Sequence, residues 1–124
     1  MTTAELEEKV YSALIADNIL TDLLPKNNKS VFHLQAPSVY PDYPIIVYSP
    51  ISDVPVLHGD NSENLHRVTM RIHIVTNFDG GVEIYQNVKR IMAELGFTRM
   101  QTTQFLEDGR KIQAVDFKII SEAV

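Results

Sequence analysis

The 124-residue sequence contains no cysteine. That excludes disulfides and thiolate metal sites together and fits a reducing compartment. No apolar run approaches the length of a membrane span, so no transmembrane helix is expected. Met1-Thr2-Thr3-Ala4-Glu5 leads into acidic residues, not into a basic region and an apolar core, so no signal peptide is expected. Basic charge is also scarce. Lys and Arg number 11 against 16 Asp and Glu, for a net charge of −5. The cations are scattered, and their densest group, Lys26 and Lys29 among Asn27, Asn28 and Ser30, reads as a solvated loop. Tight nucleic-acid binding is therefore not expected. Internal repeats, low-complexity tracts and a splitting linker are missing too, and the length favours a single domain over residues 1–124.

What is present is a succession of periodic segments. Thr2 and Glu5 have the spacing of a capping box, and Leu6, Val10, Ala13 and Leu14 follow with helical period. Glu5, Glu7 and Glu8 sit near the helix start, where the dipole favours anions. A short second turn over Ile19–Leu24 is stopped by Pro25. Val31–Leu34 has the length of a brief edge strand at most. Ile45–Tyr48 is a compact strand set between Pro44 and Pro50. Leu65–Thr76 alternates with period two, with Val68, Met70, Ile72 and Ile74 on one face and Arg67, Thr69, Arg71 and His73 on the other, and Val75 on the wetter face is the exception. A helix follows, with Ile84, Val88, Ile91, Met92 and Leu95 as its apolar stripe. Asp79 is its expected cap, and Gly96-Phe97 its expected stop. Phe97–Leu106 and Lys111–Ser121 read as a hairpin turned by Asp108-Gly109. The expected fold is α+β: a mainly antiparallel sheet of about four strands with helices on one face, in the order α-α-β-β-α-β-β.

Site chemistry is sparse. His33, His58, His66 and His73 fall in no metal motif, and His66 and His73 point to opposite faces of one strand. Asp79-Gly80-Gly81 lacks the spacing and the lysine of a phosphate-binding loop. Glu107 and Asp108 lie at a hairpin tip, where water screens them. The serines show no nucleophile-elbow context. No catalytic, cofactor-binding or metal-binding residue is assigned, and an enzyme is not expected. Tyr40, Tyr43 and Tyr48 read as cover for a core edge or an interface.

"VYSALIADNILTDLLP" followed by "YPDYPIIVYSPISD" resembles the opening of the tail-completion, or tail-terminator, proteins of long-tailed phages and prophages. "HRVTMRIHIVTN", "EIYQNVKRIMAELGF" and "FLEDGRKIQAVDFKI" continue the resemblance in order over nearly the whole chain. It implies a non-enzymatic structural protein of the virion tail, assembled in the bacterial cytoplasm. Such proteins form a ring, typically of six copies, on the tail tube. The ring stops tube growth, meets a head-completion or neck protein, and lets DNA pass its lumen without specific binding. No cofactor and no membrane belong to this reading.

The stretch Ile51–Asn64 reads as a long connection with an apolar flank, Val54-Pro55-Val56-Leu57, before the polar "HGDNSEN". Val54, Val56, Leu57, His58, Asp60, Asn61 and Glu63 are its candidate assembly-interface residues. Loops of this length are commonly functional or disordered, and this one is predicted to have the weakest hydrogen-exchange protection of the interior. The alternative reading is a small-ligand-binding regulatory α+β module, with the tyrosines and His73 as polar handles of a pocket between sheet and helix.

Overall fold

A computed structural model describes residues 1–36, 42–56, 65–77 and 81–122. Two helices open the chain, α1 (Thr3–Ala16) and α2 (Asn18–Thr21), followed by a 3-10 turn at Asn27–Ser30. Strands β1 (Val31–His33), β2 (Ile45–Pro55) and β3 (Leu65–Asn77) come next. Helix α3 (Val82–Glu94) and the hairpin β4 (Thr98–Glu107) and β5 (Arg110–Glu122) complete it. The strands form one sheet in the order β1-β2-β3-β5-β4. Among the described strands, only the β1–β2 pair is parallel.

The alternation of β3 sets the two faces. Val68, Met70, Ile72 and Ile74 are fully buried and pack with Ile46 and Tyr48 of β2 and Val115 and Phe117 of β5. Helices cover this face. Leu6, Val10 and Leu14 of α1, Leu20 of α2, and Ile84, Val88, Ile91 and Met92 of α3 complete the core. Each such aliphatic side chain gains about 1.5–3 kcal/mol on leaving water. That gain fixes the register, because a slip by one residue would turn the whole apolar set outward.

Local chemistry fixes the helix ends. The Thr2 hydroxyl accepts from the Glu5 amide while Glu5 accepts from the Thr2 amide, closing the capping box. At the end of α3 the Phe97 amide reaches the Met92 carbonyl and the Gly96 amide reaches Ala93. With Gly96 at φ 96° and Phe97 buried, this is a Schellman stop. The β4–β5 turn holds Asp108 and Gly109 at φ 52° and 77°, both left-handed, as a two-residue hairpin requires.

Three expectations are corrected. The sheet has five strands among the described residues, because Val31–His33 pairs in parallel with Ile46–Tyr48. That adds a strand to the expected order. The cap of α3 is Gly81, at φ 92°, and not Asp79, which lies outside the described residues. Strand β2 does not stop at Pro50. Pro50 pairs with Met70, a bulge at Ile51 shifts the register, and pairing runs on to Pro55 opposite His66.

The bulged continuation has a physical reason. The Tyr48 carbonyl accepts from the Leu34 amide, so Tyr48 faces outward from β3, as does Pro50 two residues later. The missing amide of Pro50 therefore costs β3 nothing. Beyond the bulge, Val56 donates inward to Leu65, which puts Pro55 on the outward side as well. Val54 of the expected loop is thus a strand residue, paired with Arg67.

Ile72 and Val88 are fully buried from opposite sides of the core. Ile72→Asp or Val88→Asp is expected to abolish cooperative thermal unfolding, because each buries an unpaired carboxylate. Gly96→Ala is expected to cost about 1 kcal/mol in chemical denaturation, from backbone strain at positive φ.

Candidate assembly surface

Two of the candidate interface residues are described, and both lie at one end of the sheet. Val54 and Val56 are described; Leu57, His58, Asp60, Asn61 and Glu63 lie outside the described residues. Val54 is partly exposed on the face of the sheet that carries no helix, and Val56 closes the ladder on Leu65. The connection over residues 57–64 therefore leaves from a paired strand end, and its base is held by hydrogen bonds.

That base carries a polar knot that sequence reading missed. His66 Nδ1 bonds Asp53 Oδ1 at 2.6 Å, and its Nε2 bonds the Met1 carbonyl at 2.8 Å. An Asp53 carboxylate and the Met1 carbonyl both accept, so the full set of bonds forms when both ring nitrogens carry hydrogen. The Thr3 hydroxyl donates to the other Asp53 oxygen. The Ser121 hydroxyl donates to the Met1 carbonyl at 3.2 Å. The knot thereby ties the start of α1 to the ends of β2, β3 and β5. His66 is pushed up from its usual value, first by the hydrogen bond to Asp53 and then by the Met1 carbonyl. Asp53 is held down, first by the Thr3 hydroxyl and then by His66. Nothing in the local sequence marks these residues, because their separations in the chain are long.

A second polar lock crosses the helix-free face. Arg71 of β3 holds Asp116 of β5 by two bonds, Nε to Oδ1 at 2.7 Å and Nη2 to Oδ2 at 3.0 Å. Gln101 of β4 adds a third, to Oδ2 at 2.9 Å. Asp116 is buried, and the Arg71 guanidinium lowers its pKa. The lock joins three neighbouring strands, β3, β5 and β4, where no helix supports them.

The remaining described histidines and tyrosines are spread over both faces of the sheet. His73 lies on the helix-free face between Val47 and Ala114, and burial followed by the Arg71 charge depresses its pKa. Tyr48 is on the helix-covered face, stacked on Tyr11 at 5.8 Å and on His33 at 4.9 Å. Tyr43 packs its ring on the Arg110 guanidinium at 4.1 Å. Tyr40 lies outside the described residues. His66 faces the helices and His73 faces away, so the two stand on opposite faces of β3, as the spacing predicts. Glu107 sits at the hairpin, opposite Arg110. None of the described helices is long and apolar enough to cross a membrane.

The family of tail completion protein gp17 matches residues 8–119. The chain belongs to that family. The matched range runs from α1 to near the end of β5, so it takes in both sheet faces, the Arg71–Asp116–Gln101 lock and the His66–Asp53 pair of the knot, but not its Met1, Thr3 and Ser121 partners. A search of curated proteins found no match. Membership gives the chain a structural role in a phage tail, in contact with other virion proteins.

The knot gives stability a definite pH dependence. The His66 contribution is complete below about pH 6.5, its unfolded value, and is lost as pH rises through the raised folded value. The Asp53 contribution has the opposite sign and is lost as pH falls through its lowered value. Thermal melts of wild type are therefore expected to weaken as pH rises above neutrality, and His66→Phe to flatten that slope. An unchanged slope in the variant would assign it to other groups. Asp116→Ala is expected to cost about 2 kcal/mol, because it strips Arg71 and Gln101 of a charged acceptor.

Proposed function

We propose that this chain terminates the tail: copies assemble as a ring, typically of six, on the last layer of tube protein. The ring ends tube polymerisation and offers the surface that a head-completion or neck protein meets. Residues 1–124 act as one tail-terminator-like domain. DNA passes the lumen without specific binding, and a net charge of −5 suits a surface that does not hold phosphates. Assembly takes place in the host cytoplasm. The protein works by shape and contact, with no catalytic residue and no cofactor.

The observation that carries this reading is the family match over residues 8–119. The described surface is compatible with it. A ring needs a heterologous contact, in which one patch meets a different patch on the next copy. The end of β2 and the connection after it, with Val54, Val56, Leu57, His58, Asp60, Asn61 and Glu63, are the proposed contact with the tail, and the base of that connection is held by the His66–Asp53 knot.

The ligand-binding alternative draws no support from the side-chain arrangement, since Tyr48 and His73 stand on opposite faces of the sheet.

Electron microscopy of tail tubes grown with and without the protein tests the proposal. Capped tubes of uniform length are expected with it, and tubes of unlimited length without it. Val56→Asp with Leu57→Asp is expected to lose capping while keeping the melting temperature. His73→Ala and Glu107→Ala are expected to cap as wild type does. Tubes that neither bind the protein nor change in length would refute the terminator role.

A further inference from the structure

The sheet face without helices carries a basic patch near the end where β2 stops. Arg67 stands in one cross-strand row with Ile120, and Lys118 stands in the next row, opposite Thr69. Directly paired residues share a face, as do alternate residues along one strand. Arg67, Thr69, Lys118 and Ile120 therefore all lie on the helix-free face. Met100 joins them, because the Thr69 hydroxyl meets its sulfur at 3.9 Å. Ile120 and Met100 are 58% and 49% exposed. Arg67 and Lys118 form no ion pair among the described residues. Asp116 on the same face is taken by Arg71, and Glu122 stands one row further out, opposite Leu65. In a chain of net charge −5, two neighbouring uncommitted cations beside exposed apolar side chains call for an acidic partner.

The helix layer presents the opposite pattern. Leu23, Pro44, Val82 and Ile84 line a groove of about 440 Å³. Glu83 also lines it, and Asp22 directly precedes Leu23. Val82 is 59% exposed, and Ile19, one turn before Leu23, is 63% exposed. Asp22 and Glu83 form no ion pair among the described residues. The cations of α3 are engaged elsewhere, Lys89 on the Tyr85 ring and Arg90 on Asp17 and Glu94. Thr76 and Asn77 border the groove, so it lies about 30 Å along β3 from Arg67.

We propose that the basic patch of one copy docks on the acidic groove of the next. This inference rests on the ring reading above and names the contact between its copies. Arg67 and Lys118 face Asp22 and Glu83, while Ile120 and Met100 enter the groove beside Val82. Charge selects this occupant. Two acidic chains repel over most of their surfaces, and this match sets uncommitted cations against uncommitted carboxylates. Each member of the match lies on the same face as its companions. The docking also gives the bare end of the sheet a helix layer that its own chain does not supply. The two patches stand on opposite faces and towards opposite ends of the sheet. The contact is therefore heterologous, and each added copy leaves one patch of each kind free until a ring closes.

The chain has no cysteine, so a single introduced disulfide can report the contact. Full-length Ile120→Cys protein is mixed with full-length Val82→Cys protein under mild oxidation, free at up to about 1 mM and, in parallel, on tail tubes. A cross-linked dimer is expected in the mixture and at most a trace from either variant alone, because a disulfide needs Cα atoms within about 7 Å. Arg67→Glu with Lys118→Glu in the first protein is expected to cut the yield at least about tenfold. Asp22→Lys with Glu83→Lys in the second is expected to do the same, and combining the two reversed proteins to restore it. Arg67→Ala replaces the first reversal if that variant fails to melt cooperatively, with a smaller loss expected. No cross-link in either setting overturns the proposal. So does a yield indifferent to the charge reversals, or either cysteine variant cross-linking with itself as readily as with the other. Double-stranded DNA that binds wild type but not the Arg67→Glu, Lys118→Glu protein, with no cross-link formed, assigns the patch to phosphates and overturns it too. Tubes that stay capped while the cross-link fails sink this contact and leave the ring reading standing. Cross-linking without capping supports the contact and counts against the terminator role.

Discussion

Val68, Met70, Ile72 and Ile74 of β3 are closed from water, and every other element takes its position from that stripe. The stripe faces three helices on one side, while its strand bonds β2 and β5 at its two edges. A strand so placed has one permissible register with each neighbour, because any slip exposes the apolar face. The helices follow from the same constraint. Each has an apolar stripe too narrow to form a core alone, and together they cover one surface of one sheet. The other surface must then be held without a layer above it, and polar side chains hold it: the Arg71–Asp116 ion pair and the Gln101 amide clasp three strands.

Much of this was legible in order and period. The alternation of β3, the stripe of α3, the Gly96-Phe97 stop and the Asp108-Gly109 turn are local patterns, and local physics decides them. The parallel strand β1 was only half legible. Three residues carry too little pattern, and their role depends on finding Ile46–Tyr48 across a connection. The extension of β2 was misread because proline in a strand reads as a stop. The sequence shows that an amide is missing but not which way it would have pointed. Pro50 and Pro55 point away from β3, so the ladder continues past both.

The support of the candidate surface was not legible in the sequence. The apolar flank Val54-Pro55-Val56 lies at one end of the sheet, yet nothing nearby announces that His66 and Asp53 bond beside it. His66 and Asp53 are 13 residues apart, and His66 and Met1 are 65 apart. Arg71 and Asp116 are 45 apart, although their facing follows once the β3–β5 register is known. Long-range polar pairs of this kind follow from the fold, so they become visible only after it.

The sheet order has a consequence for synthesis. β5 is the last described element to leave the ribosome, yet it lies between β3 and β4 and completes the core with Val115 and Phe117. Until it emerges, the apolar face of β3 lacks one neighbour, β4 has none, and α3 has only part of its floor. Closing the sheet must therefore wait for β5, and its pairs with β3 reach across the whole of α3 and β4, which slows the search. A nascent chain with so much unpaired strand is exposed to wrong partners for most of its translation. The hairpin turn at Asp108-Gly109 shortens that interval, because it delivers β5 to β4 as soon as the last strand appears.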